Sequence, residues 1–322
     1  MAQTLYSSKN ENSISQLKKV ASDAITDTRF ASDDEIYYNI ASIIKYVPFC
    51  RHIYIVTDQQ KPAFIDEFAK QGICSADKIR IVDHKDIFSG YEQFLPTFNS
   101  TSIETMIWNI NGLSDYFIYM NDDFFFLTNR KWMNFWMMKK IIIHGHWQKK
   151  IVLNTKMKYR QLLNKFLETP IQPKYTTAQM LGSIPLKTNQ FFKIHHYPHI
   201  VDKSILSSYL LSNITFLENQ IKHRFRDISQ FDPISLANHL SIQKNKAVLK
   251  PDLNLNYLKN EYSVEKFIKN LDDESIKYGC IQSMDLLSEG FSQKVNKAMI
   301  KKFYLYLPES LLREETQCAI KR

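Results

Sequence analysis

Glycine is scarce in this 322-residue chain, with seven residues in all. Neither a G-x-G-x-x-G turn nor a phosphate-cradling P-loop pattern occurs, which argues against the common nucleotide-binding fingerprints. Cysteine is sparse too. Cys50, Cys74, Cys280 and Cys318 show no C-x-x-C spacing and read as reduced thiols in a reducing compartment. No run of about 18 apolar residues exists, so no segment is predicted to span a bilayer. The opening stretch MAQTLYSSKNENSISQLKK lacks an apolar h-region, so no signal peptide is expected. A cytoplasmic protein follows as the expectation. Long basic runs are also missing. The net charge of +9 reads as scattered, with short clusters at Lys139-Lys140, Lys149-Lys150 and Lys301-Lys302. That argues against a nucleic-acid arm and leaves a nucleotide, a charged polymer or an anionic membrane face as the anionic partner.

What is present is a globular composition with 44% hydrophobic residues. That is enough for one large domain or two ordinary ones. Residues 1–28 read as a polar arm and order begins near Arg29. Asp33-Asp34 caps a helical run in which Ile36, Ile40, Ile43 and Ile44 share a face, ending at Pro48. Three β-rich runs follow: His52–Thr57, Ile79–Val82 and Tyr116–Met120. Helical patterns separate them, one starting at Pro62 and one carrying Ile103, Met106, Ile107 and Ile110. Strand, helix, strand, helix, strand predicts an α/β fold with a mostly parallel sheet and flanking helices. Residues 139–153 suggest two strands around Gly145. Beyond about Tyr159 the pattern turns helical, with helices expected over Ser204–Arg224, Val264–Lys269 and Phe291–Tyr306. The expected organisation is the arm over 1–28 and a single unit over 29–322. Its α/β core is 29–158, and a mainly helical part, 159–322, completes the site.

The stretch YFIYMNDDFFFL, Tyr116 to Leu127, places two adjacent carboxylates between apolar segments. Burying both unpaired would cost several kcal/mol, roughly, so a cation, a shared proton or a solvated rim must compensate. Ligands in open α/β sheets bind outside the carboxyl ends of strands, and Asn121-Asp122-Asp123 falls at such an end. The pair would hold a hard divalent ion, or one would act as a base; a plain Asx turn is the competing reading. His195, His196 and His199 in IHHYPHIVD suit acid–base work better than zinc, having no cysteine close by. Arg224 and Arg226 in HRFRD suit a phosphate clamp or a solvated helix end. Glu104 follows Thr101 by three residues, which is also a capping box. Phe124, Phe125 and Phe126 read as core rather than as a sugar platform.

Together these segments resemble the Stealth family of sugar-phosphate transferases, which includes bacterial capsular polysaccharide phosphotransferases and the catalytic subunit of the animal enzyme that makes the lysosomal mannose-phosphate tag. The resemblance is strongest from RFASDDEIYYNIASI at Arg29 to NDDFFF at Phe126, through KYVPFCRHIYIVTDQQKP, IVDHKDIF, FLPTFNSTSIE and GLSDYFIYMNDD. HHYPHIVDK and HRFRD resemble the family's third segment, and the run from Cys280 to Glu314 a weak form of its fourth, with Gln282-Ser283 where Asn-Asp is usual. The family's opening W-V-D/N-G-type motif has no counterpart in residues 1–28. The resemblance implies a nucleotide-sugar transferase-like fold that transfers a sugar 1-phosphate from a nucleotide diphosphosugar donor to a growing glycan acceptor. It implies Asp123, His196 and Arg226 as catalytic residues and Arg29, Asn99, Ser100, Glu104 and Asn121 as substrate-binding residues. Mg²⁺ or Mn²⁺ on Asp122 and Asp123 is implied as well. The positive charge adds the expectation of peripheral docking on the inner face of the plasma membrane, and its scatter the expectation of no nucleic-acid partner. A metal-dependent glycosyltransferase releasing nucleoside diphosphate, or a vestigial glycan-binding protein, stays open as an alternative.

Overall fold

The computed structural model describes residues 35–164, 174–282 and 284–313. Arg29, the 1–28 arm and the Asp33-Asp34 cap lie outside them. The first helix, α1 (Glu35–Tyr46), has Glu35 in its first turn and Lys45 in its last, which complements the helix dipole. The expected isoleucine face is not its most buried one. Tyr37, Tyr38, Ile40 and Ala41 are in the core, whereas Ile36 and Ile43 line a cleft. Polar Asn39 and Ser42 are buried beside them because they hydrogen-bond the backbone of residues 121–126.

Strands β1 (Ile53–Thr57) and β2 (Ile79–Asp83) pair in parallel, Ile53 opposite Ile79 and Thr57 opposite Asp83. Between them lies the short helix α2 (Glu67–Lys70), and after β2 the turn of helix α3 (His84–Ile87) is capped by Asp83. Helix α4 (Ser100–Met106) follows, then β3 (Tyr116–Tyr119) and β4 (Phe124–Phe126). The third expected strand exists, but it does not join the first two. β3 pairs antiparallel with β9 (His199–Asp202), Tyr119 opposite His199. A periodic run identifies a strand but not its partner, which lies eighty residues away.

The two strands around Gly145 are β6 (Lys140–His144) and β7 (His146–Lys149), preceded by the short β5 (Trp136–Met137). Residues 151–153, expected as strand, instead begin helix α5 (Ile151–Asn164). The chain continues through α6 (Tyr175–Gly182) and β8 (Gln190–Lys193). Ser204–Arg224 is two helices, α7 (Lys203–Leu211) and α8 (Ile214–Ile221), broken at Ser212-Asn213. Then come α9 (Pro233–Gln243), β10 (Ala247–Lys250), β11 (Leu255–Leu258), α10 (Val264–Asn270), β12 (Tyr278–Ile281) and α11 (Glu289–Phe303).

The fold is mixed α/β, and the mostly parallel sheet expected from the sequence is not what forms. β1–β2, β6–β10 and β11–β12 are parallel. β4–β12, β3–β9, β5–β6 and β7–β8 are antiparallel. Strands after residue 159 thus complete sheets begun before it, through β3–β9, β4–β12 and β6–β10. The three phenylalanines of β4 are core, as expected, each at most 2% exposed. Phe125 packs edge-on against Phe267 and Phe303. Gly279 faces it across the ladder, where an added Cβ would stand 2.3 Å from the Phe125 ring, so no larger residue fits without moving it.

Candidate active site

The turn between β3 and β4 carries Asn121, Asp122 and Asp123, and α1 holds it in place. The Asn39 side-chain amide donates to the carbonyls of Asn121 and Phe124, 2.9 Å each, and the Phe126 N–H donates to Ser42 Oγ at 3.0 Å. The two carboxylates then part. Asp122 is exposed and lines the large cleft. Asp123 turns back toward β12, where Cys280 Sγ approaches one oxygen at 3.3 Å and the other, buried oxygen has no partner. Burial and the neighbouring Asp122 charge push the Asp123 pKa up to about 6. Adjacency in sequence therefore does not place both carboxylates on one point.

Helix α4 is capped by Asn99, whose side-chain oxygen accepts from the Thr101 N–H, so the expected Thr101–Glu104 capping box does not form. The Asn99 amide nitrogen lies 2.9–3.0 Å from the carbonyls of His223 and Phe225 and from Gln230 Oε1. Asn99 is wholly buried and stands behind the cleft, not in it. It ties the start of α4 to the loop that carries Arg226. Ser100, the first helical residue, accepts from Arg226 Nε at 3.2 Å and Nη2 at 2.5 Å. This pins one edge of the guanidinium and leaves its other donors toward the cleft.

One turn further on, Glu104 reaches a small cavity that opens off the large cleft at Glu104, Tyr119 and Asn121. Its pKa is raised to about 7, by burial first and the Asp232 charge second; Arg226 and the Tyr119 hydroxyl pull the other way. Asp232 caps α9 and takes backbone N–H bonds, at 2.5 Å from Ser235, yet burial still lifts its pKa to about 6. Those N–H bonds favour the ionised form, so Glu104 is the member of the pair that keeps a proton. Tyr119 and Tyr175 both stay protonated, held well above the ordinary phenol value by burial.

His196 completes this cavity. Tyr175 stacks on one face of its ring, centroids 3.5 Å apart, while its edge stays open to solvent. Burial of the face, then the nearby positive charge of Arg226, lowers its pKa to about 4. The neutral imidazole accepts a proton at neutral pH and has none to donate as an imidazolium. His199 is buried beneath it and bonds the His195 carbonyl through Nε2 at 2.8 Å. His195 itself points elsewhere, toward Asp252.

Of the residues singled out in the sequence, Ser100, Glu104, Asn121, Asp122, His196 and Arg226 thus converge on joined cavities. Asn99 and Asp123 sit behind them, and Arg29 lies outside the described residues. Sequence reasoning missed Tyr119, Tyr175 and Asp232. Asp232-Pro233 with Ser235 is a legible helix start, but nothing in it shows that the carboxylate faces Glu104. Among the described residues no three His, Cys, Asp or Glu side chains converge as a metal cage. The donor set therefore does not fit a resident ion held by protein alone.

A cleft lined by two strands, an arginine pinned on Ser100 and buried carboxyls shifted toward neutrality make this a candidate active site. Residues 29–144 match the family description Stealth protein CR2, conserved region 2. This chain therefore carries a Stealth conserved region 2; His196 and Arg226 lie beyond it. A capsular polysaccharide phosphotransferase of Actinobacillus pleuropneumoniae is 44% identical over 97 residues, 30% of this chain and 24% of that protein. One from Neisseria meningitidis is 41% identical over 99 residues, 31% and 25% of the two chains. An exopolysaccharide phosphotransferase of Streptomyces coelicolor is 43% identical over 103 residues, 32% and 18%. The chain spans a quarter or less of the length of these relatives.

Proposed function

We propose that this chain is a capsular or exopolysaccharide phosphotransferase that moves a sugar 1-phosphate from a nucleotide diphosphosugar to a glycan hydroxyl. The observation that carries the reading is convergence. Glu104, His196 and Arg226 come from three separate segments: Glu104 and Arg226 line the cleft that holds Asn121 and Asp122, and His196 lines the small cavity that shares Glu104 and Asn121 with it. The names of the similar proteins point the same way.

In this reading the donor's diphosphate lies against Arg226, whose free N–H donors stabilise the charge that develops on the transferred phosphate. The acceptor hydroxyl enters from the small cavity and gives its proton to His196. Its oxygen bonds to the phosphorus next to the sugar as the bond to the nucleoside monophosphate breaks. The arriving phosphate also tunes the base. It offsets the Arg226 charge that adds to burial in holding His196 neutral, so the imidazole pKa rises when the donor is bound. Glu104 and Asp232 orient the acceptor through hydrogen bonds. Asp122 would hold Mg²⁺ or Mn²⁺, which would supply further charge neutralisation. Asp123 supports that turn from behind.

The test is nucleotide release. The chain is incubated with Mg²⁺ or Mn²⁺, UDP-, CDP- and GDP-sugars and capsular oligosaccharides, beside Asp122→Ala/Asp123→Ala. Acceptor-dependent nucleoside monophosphate, lost in the variant, is expected. Nucleoside diphosphate would make the protein a glycosyltransferase and overturn the reading.

A further inference from the structure

The positive charge of this chain is not evenly spread, contrary to its scattered look in the sequence. Residues 124–201 contain thirteen Lys or Arg and one acid, Glu168. That quarter of the chain carries +12, against +9 for the whole, so the remainder is slightly acidic. The same segment exposes an unusual amount of apolar surface, and α5 concentrates both properties.

Helix α5 reads IVLNTKMKYRQLLN and has no acid. It rests on the body by one narrow stripe, with Leu153, Met157 and Arg160 only half-buried, and Leu163 lies at the stripe's border with the exposed side. At 3.6 residues per turn, Ile151, Leu162, Thr155, Tyr159 and Val152 fall, in that angular order, within a sector of about 100° on the opposite side. Their exposures confirm the geometry: Ile151 is 70% exposed, Tyr159 62%, Val152 58% and Leu162 54%. Lys158 flanks this sector on one side and Lys156 on the other, both exposed. An ordinary surface helix turns its apolar stripe inward; this one presents a second stripe to solvent. Two exposed apolar side chains outside the helix adjoin its start, one in sequence and one in space. Trp147 on β7 is 44% exposed. Ile184 is exposed on the turn whose Ser183 carbonyl accepts from Lys150, so it abuts the start of α5.

We propose that α5, with Trp147 and Ile184, is an interfacial helix that docks this chain on an anionic lipid surface. The apolar sector enters the headgroup boundary, and Lys156 and Lys158 snorkel along its flanks to lipid phosphates. A tryptophan at the rim suits the same boundary. Charge complementarity selects this occupant. A second copy of the chain would bring like-charged lysines together across a two-fold contact. A soluble polyanion would satisfy the lysines but leave the four large apolar side chains in water. The surface is also close to the chemistry, because α5 packs on α6, whose first residue, Tyr175, stacks on His196.

The experiment is vesicle flotation of the full chain, which needs no turnover and so stands or falls apart from the transferase reading. Phosphatidylglycerol–phosphatidylethanolamine vesicles are compared with phosphatidylcholine alone. The wild type is expected to float with the anionic vesicles and not with the neutral ones. Ile151→Ser/Tyr159→Ser/Leu162→Ser and Lys156→Glu/Lys158→Glu should each weaken binding about tenfold or more, and salt should weaken the wild type. All substituted residues are exposed, so circular dichroism and Tm should stay at wild-type values. No flotation of the wild type would overturn the proposal, as would retained binding in either variant. A wild type that is dimeric in sedimentation and monomeric in the serine variant would reassign the stripe to self-association.

Discussion

At the scale of single residues, environment rather than identity sets the chemistry. Glu104 and His196 have ordinary pKa values of 4.5 and 6.5, and the fold reverses their order. Burial beside Asp232 brings the carboxyl to about 7, and burial beside Arg226 takes the imidazole to about 4. His196→Ala should lower turnover about a hundredfold or more in the nucleotide-release assay. The carboxyl makes a separate statement about stability. Unfolded, Glu104 titrates near 4.5; folded, near 7. Below the lower value both states are protonated and nothing is lost. Stability falls as pH rises through that window, because ionising the buried group is unfavourable. Glu104→Gln removes the loss, so its advantage over the wild type should grow from nil near pH 4 to at most about 3 kcal/mol above pH 7. Urea unfolding at both ends of the range would show it; an advantage that shrinks with pH would contradict the assignment. His196 contributes with the opposite sign, since its stability is lost as pH falls through the range 6.5 to about 4.

Elements carry these side chains, and the sequence showed the elements better than their partners. α1, β1, β2 and the two strands around Gly145 were readable from periodicity because each is a local pattern. The single helix expected over Ser204–Arg224 failed because its apolar spacing continues through Ser212-Asn213 while the backbone breaks there. Arg226 could be singled out from the sequence, but its anchorage could not. That anchorage is Asn99, which caps α4 and bonds the 223–230 loop 124 to 131 positions away. Asn99→Ala should therefore do two things. It should lower stability by about 2 kcal/mol through the lost cap and the unpaired carbonyls left behind. It should also raise the KM for the nucleotide donor more than it lowers kcat, because Arg226 loses its fixed position. Titration of donor binding beside a melting curve separates the two; unchanged binding would make Asn99 purely a cap.

For the whole molecule, the α/β class was visible in alternating strand and helix patterns, whereas sheet order was not. β3 looked like the third strand of a parallel sheet, and β9 was hidden behind a run of histidines. The cleft that results is bordered along its length by β1 and β3. Every residue of both strands lines it, and each strand has a ladder on one side alone. The core is thus parted by a seam whose two lips are open backbone. Amide groups along such lips have only solvent to bond, and they should trade hydrogen for deuterium long before those of β12, which is laddered on both sides by β11 and β4. Exchange mass spectrometry should find β1 and β3 labelled early although they sit mid-molecule, and a bound nucleotide sugar should slow them first. Equal protection in all three strands would mean that the seam is closed in solution. An open seam lets the middle of this protein exchange with water as readily as the edge strands at its rim.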